Sequence, residues 1–260
     1  PEELPACCLQ FLTALRRCGT AAFLEGAMAG QKNGTLFDRV SSLGVTAPWG
    51  RVEMGRLGAL GSGVTDSIFL NGFTPFGNLY KEAQALQVIN HQAMRLNNAV
   101  RYESPAASGV KLYAEYSNGV SSDDALPSSQ RDRFAALGAK YESGPLALVL
   151  VADDKLYKAS TKNPHFGTDD SQTVNLGARH RIENTTLYAA YQHVRKVEKV
   201  GNQMTKLATK TDTEKRLYNH EGFNSNALVI GVKTPALGGD LKLQAGYARG
   251  SSRNDDYTRS

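Results

Sequence analysis

Side-chain polarity that alternates with a period of two, in one segment after another, constrains this chain more than any other feature. In Asn97–Ser117, Val100 and Tyr102 alternate with Arg101 and Glu103, and a Ser-Pro-Ala-Ala-Ser-Gly turn follows. Val110, Leu112, Ala114 and Tyr116 then alternate with Lys111, Tyr113 and Glu115. Such alternation gives an extended strand one apolar face and one polar face. The unit recurs at Phe134–Tyr141 with Leu146–Ala152, at Leu176–Arg181 with Leu187–Tyr191, and at Leu228–Val232 with Leu241–Tyr247. Leu36–Val45 pairs in the same way with Arg51–Leu57, and Thr20–Gly26 reads as a lone strand before them. The pattern predicts about eleven strands, joined alternately by short turns and long polar stretches. The long stretches lie around 58–96, 118–132, 153–170 and 195–225.

Composition decides how such a chain could meet a membrane. Charged residues make up 21% of the 260, and the longest apolar run, Leu146–Ala152, falls far short of the roughly 20 residues a spanning helix needs. In a bilayer only helices and closed barrels satisfy every backbone group, so a membrane role requires a barrel. Short turns at one end and long loops at the other are the layout of a transmembrane barrel. Loops of this length are uncommon in a compact soluble domain. The expected fold is therefore all-β, an antiparallel transmembrane β-barrel. The competing reading is a soluble β-sandwich or jelly roll acting as a carbohydrate-binding or surface-adhesion module. The two differ in where the apolar positions point: a sandwich buries Leu112, Ala114, Leu187, Leu241 and Leu243, whereas a barrel turns them to lipid.

The remaining chemistry is sparse. The formal charge of +5 is spread along the chain without a basic stripe, which argues against nucleic-acid binding and would at most bias a pore toward anions. The five histidines show no metal-ligand spacing, and Gly61-Ser62-Gly63 is not a nucleophile elbow, so no catalytic residue, metal site or cofactor is expected. Asp153-Asp154, Asp169-Asp170 and Asp255-Asp256 read as solvated loop acids. Cys7, Cys8 and Cys18 all fall in the first 18 residues, which resemble neither the body nor a signal peptide. The chain is accordingly divided into an anomalous segment, 1–18, and a partial barrel, 19–260.

Several stretches carry a likeness to a known family. Thr35-Leu36-Phe37-Asp38-Arg39 running to Trp49-Gly50-Arg51-Val52-Glu53-Met54-Gly55-Arg56 resembles the paired strands that precede the constriction loop in general Gram-negative porins of the beta-proteobacterial type. Asn97-Asn98-Ala99-Val100-Arg101-Tyr102-Glu103-Ser104-Pro105 is similar to that family's Asn-Ser-Val-Arg-Tyr-Asp-Ser-Pro strand, and Tyr191-Gln192-His193-Val194 resembles the end of another.

The resemblance implies a trimeric outer-membrane channel of about sixteen strands per barrel, passing small polar solutes and ions without a cofactor. It places the constriction loop at Gly58–Leu96, with Thr74-Pro75-Phe76-Gly77 similar to the family's loop tip. Acidic groups on that loop, for which Asp66 and Glu82 are the candidates, would face a basic wall of Arg56, Arg101 and Lys111. Arg56 shares parity with Val52 and Met54, so an inward direction requires a bulge near Gly55. Family members end on a strand with a terminal aromatic. This chain ends Asp256-Tyr257-Thr258-Arg259-Ser260, which reads as loop, so an incomplete barrel is expected. Ala83–Leu96 carries some helical character, and Tyr102, Tyr116, Tyr141, Tyr191 and Tyr247 are candidates for an interfacial girdle.

Overall fold

The computed structural model describes residues 8–15, 18–25, 40–62, 67–77, 85, 88–89, 93–120, 127–157, 170–197, 223–251 and 256–259. Their strands are β1 (Cys8–Leu15), β2 (Cys18–Glu25), β3 (Val40–Ala47), β4 (Gly50–Gly58), β5 (Arg95–Glu103), β6 (Val110–Ser117) and β7 (Arg133–Ser143), followed by β8 (Leu146–Leu156), β9 (Ser171–Ile182), β10 (Thr185–Val197), β11 (Phe223–Ala236), β12 (Gly239–Ser251) and β13 (Asp256–Arg259). All thirteen form one sheet in strict chain order, every neighbouring pair antiparallel. The count exceeds the expected eleven at both ends. β1 arises in the segment read apart from the barrel, where apolar residues fall on both parities and hide the period, and β13 arises where the sequence reads as loop. Among the described residues the sheet stays open between β1 and β13.

The turns explain why the meander keeps its register. β7 and β8 close through Gly144-Pro145, with Gly144 at φ 54°, and β11 and β12 close through Leu237-Gly238, at φ 51° and 79°. Two-residue hairpin turns favour this left-handed backbone because its twist matches that of the flanking strands.

Register makes the two faces explicit. One row crosses seven strands as Leu112, Ala139, Leu150, Leu176, Tyr191, Leu228 and Tyr247. The next row toward the turns runs Val110, Tyr141, Leu148, Ala178, Ala189, Ile230 and Ala245. Neither row holds a charge. These positions face outward: Leu112 and Leu243 are each 55% exposed, and Leu187 and Leu241 are exposed with them. All five candidate girdle tyrosines share this face; Tyr102 stacks on Trp49 and donates to its carbonyl over 2.8 Å. The opposite face carries Ser42, Glu53, Arg101, Glu115, Thr173, Asn175, Gln192 and Ser225, all buried. A sandwich requires the reverse arrangement, so the apolar-out, polar-in pattern removes the soluble alternative.

Candidate functional site

The chain between β4 and β5 folds onto the polar face. Gly58 ends β4, Ala59 donates its N–H to the Met94 carbonyl over 3.2 Å, and the loop so closed buries Leu60, Phe69, Leu70, Phe73, Ala85, Val88 and Ile89 against the wall. Its described residues include one short helix, α1 (Leu70–Phe73). Thr74 ends it: its hydroxyl donates to the Leu70 carbonyl over 2.9 Å and accepts from the Gly77 N–H over 3.2 Å, with Gly77 at φ 52°. The Thr74–Gly77 tip named from sequence is thus a turn that closes the helix. The helical character expected over Ala83–Leu96 is limited, among the described residues, to one turn in which the Val88 and Ile89 N–H groups donate to Ala85; β5 already starts at Arg95.

The loop root is fixed by a buried charge pair. One register row places Gly44, Glu53, Arg101, Glu115, Ala136 and Asp153 side by side across β3–β8. Arg101, 5% exposed, donates to Glu115 Oε1 from Nε over 3.0 Å and from Nη2 over 2.6 Å, and Nη2 also donates to the Gly58 carbonyl. The other carboxylate oxygen, Glu115 Oε2, accepts the Leu60 N–H over 2.9 Å. Beside this pair, Glu53 accepts from the Ser42 hydroxyl over 2.5 Å and meets Arg51 at 3.2 Å. The Arg101–Glu115 unit therefore grips the loop on both sides of Ala59. A small cavity of about 190 Å³ lies behind the loop, lined by Arg51, Glu53, Ser67, Ile68, Arg101, Glu103 and Tyr113.

Nearer the turns the same face becomes basic. Lys111 and Lys140 are register partners, as are Lys233 and Lys242, and Arg179 and Arg181 share their face on β9. Glu103, Glu142 and Asp240 are the described acids among them: Lys111 pairs with Glu103, Lys140 with Glu142 at 3.1 Å, Arg179 with Glu142 at 3.3 Å and Lys233 with Asp240 at 2.8 Å. Arg179 also reaches the loop, donating to the Gly72 carbonyl over 3.3 Å with its guanidinium 5.8 Å from the Phe73 ring centre.

The residues named from sequence fare unequally. Lys111 lies on the polar face, partly exposed, as alternation predicts. Arg101 lies there too, but its charge is engaged by Glu115 and the loop root rather than presented to a passage. The bulge anticipated near Gly55 exists, yet its extra residue belongs to β5, where Asn98 takes φ 48°: Gly55 pairs with Ala99 and Leu57 with Leu96. Alternation along β4 therefore continues, and Arg56 keeps the parity of Met54, donating to Asn97 Oδ1. Asp66 and Glu82 lie outside the described residues. Sequence reasoning missed Glu53, Glu115 and Arg179, although the alternation that selects Lys111 selects all three.

A strand meander with an apolar exterior, a charged interior and a loop laid across the inner wall matches one family model, that of the Gram-negative porins, over residues 18–260. The chain belongs to the Gram-negative porin family. Its place is accordingly the outer membrane, crossed by strands. A curated relative, an outer membrane porin protein of Bordetella pertussis, is 24% identical over 235 residues, which make up 84% of this chain and 59% of the relative. This porin chain thus spans about three fifths of that relative's length. Among solved structures it resembles an anion-selective porin from Comamonas acidovorans (19% identity, TM-score 0.57, 95% of this chain and 68% of that one). It also resembles Salmonella typhi OmpF in a complex with daunomycin (12%, TM-score 0.61, 94% and 70%). OmpT of Vibrio cholerae in a trimer form matches at 14% and TM-score 0.55, covering 97% of this chain and 77% of that one. At these identities the likeness concerns the fold.

Proposed function

We propose that this chain supplies wall and constriction loop to a passive diffusion channel for small hydrophilic solutes and ions, with a preference for anions. One observation carries the reading: the face that holds the loop is polar and charged, while the opposite face is uncharged across whole register rows. Lipid solvates the second face and water the first, and rings of charged side chains are the general means by which a wet passage selects ions. The sign of the preference follows from the turn end of the inner wall. There Arg51, Lys111, Lys140, Arg179, Arg181, Lys233 and Lys242 outnumber Glu103, Glu142 and Asp240 among the described residues. A solute passing this band meets net positive potential, focused by the low-dielectric wall behind it.

The work of the channel is done by geometry and field, with no bond made or broken and no cofactor. The assembly that fits is a homotrimer set in outer-membrane lipid; OmpT of Vibrio cholerae, an outer membrane protein with the same fold, is described in a trimer form. Planar-bilayer recording of the full-length protein across a KCl gradient tests the reading. Stepwise conductance with a reversal potential of the sign set by chloride is expected; a folded protein that never conducts overturns it.

A further inference from the structure

Four glycines of the inner wall lie directly under the loop, each filled by a different loop side chain. A Cβ on Gly138 of β7 would stand 2.8 Å from Ile68 Cδ1, and one on Gly177 of β9 would stand 2.8 Å from Phe73 Cγ. On Gly231 of β11 it would meet Pro75 Cγ at 2.2 Å, and on Gly246 of β12 it would meet Val88 Cγ2 at 2.8 Å. Carbon atoms in ordinary contact sit about 3.5–4.0 Å apart, so none of these positions has room for a methyl group. Backbone conformation is not the reason, because none of the four has a positive φ.

Glycine inside a strand weakens it and marks a place where another part of the chain approaches closely. Here the approaching groups come in order. Residues 68, 73, 75 and 88 of the loop meet strands β7, β9, β11 and β12 in turn. The strands between contribute the small or branched apolar Val149 of β8 and Ala190 of β10, both buried. At each seat the atoms a Cβ would meet within 3.0 Å belong to the loop, apart from Val149 Cγ1 at 2.7 Å from Gly177 and the Leu243 carbonyl oxygen at 2.9 Å from Gly231.

We propose that these four glycines set how far the loop stands off the wall, and so fix the width of the channel. The inference rests on the channel reading above. The wall omits side chains along one track, the loop sinks into it, and the space saved is left to solute. Gly231 and Gly246 are the informative seats. Pro75 is a rigid ring that cannot swing aside, and Val88 is branched at Cβ with few rotamers to choose from. A side chain added at either seat must lift the loop into the passage. Shortening the loop residue opposite must let it settle again.

The test compares Gly231→Ala and Gly246→Val in the full-length protein with the paired variants Gly231→Ala/Pro75→Gly and Gly246→Val/Val88→Ala. Heat-modifiable migration in detergent identifies folded protein, and single-channel conductance gives the readout. Each wall variant is expected to lose on the order of half its conductance, and its paired variant to recover most of it. Unchanged or raised conductance in folded wall variants overturns the proposal, as does a reduced conductance that the loop substitution fails to restore. If a wall variant does not fold, its pair decides: a pair that folds and conducts supports the seat, and one that also fails to fold overturns it. A wild-type protein that folds without conducting would instead remove the channel reading itself.

Discussion

Two bands of the same inner wall use charge in opposite ways. Toward the loops, Glu53, Arg101 and Glu115 are adjacent in register and buried; Arg101 and Glu115 are bonded to each other and to the loop root, and Glu53 to Ser42 and Arg51. Toward the turns, Lys111, Lys140, Arg179, Lys233 and Lys242 stand on the same face with partial exposure. The strands alternate identically in both bands, so strand geometry does not create the difference. The loop does. Where its backbone crosses the wall it excludes water, and a charge there must find a partner or incur a large desolvation cost. Below the crossing the charges keep partial exposure, and on the channel reading proposed above they are the ones a solute would meet. Inward direction is thus necessary for a selectivity role but not sufficient, and what lies on top of the residue decides.

Replacing a member of the covered band should have the largest effect. Arg101→Met leaves Glu115 buried without its cation, and breaking such a pair from one side costs about 3–5 kcal/mol. The folded, heat-modifiable form should melt well below wild type, and wild-type stability in this variant would show the band to be wetter than its burial implies. Arg101→Lys is milder. It keeps the charge but gives up the planar fork that serves Glu115 and Gly58 together, for a loss of about 1–2 kcal/mol measured by denaturant titration in detergent. In the wet band the order of effects reverses. The triple variant Arg181→Gln/Lys233→Gln/Lys242→Gln should fold like wild type, while its reversal potential in a KCl gradient moves toward cation preference. A triple variant with unaltered selectivity would break the contrast between the bands.

The strands, their partners and the outward face were legible in the sequence because period-two alternation records which side of a strand meets lipid. Leu112 and Leu243 needed nothing more. The strand ends were less so. In Cys8–Leu15 apolar residues occupy both parities, and in Asp256–Arg259 four residues are too few to show a period. The candidate site was half legible. Arg101 and Lys111 share a strand pattern and a face, and nothing local says that one lies under the loop root while the other stays partly exposed; the contact of Arg101 with Gly58 joins residues 43 apart, and that of Glu115 with Leu60 joins residues 55 apart. Arg56 shows the same limit. The need for a bulge could be read from β4 alone, but which strand holds the extra residue depends on Asn97 and Asn98 across the ladder. The glycine seats were invisible for the same reason, since a glycine in a strand reveals its purpose only once the group above it is known.

The smallest expected effect is the sharpest check on the comparison. Lys111 pairs with Glu103, their side chains being 42% and 27% exposed, so water already solvates both charges and the pair is worth about 0–1 kcal/mol. Against that gain stands Lys140, directly opposite Lys111 in the ladder, where like charges oppose each other at a cost of about 0.2–1 kcal/mol. The two contributions have opposite sign and similar size. Lys111→Gln should therefore leave stability within about 0.5 kcal/mol of wild type, and any difference should shrink as salt rises and screens both. Denaturant titration at low and high ionic strength measures this. A loss approaching that of Arg101→Met would mean that the turn-end charges also hold the wall together, and the division between a structural band and a wet one would fail.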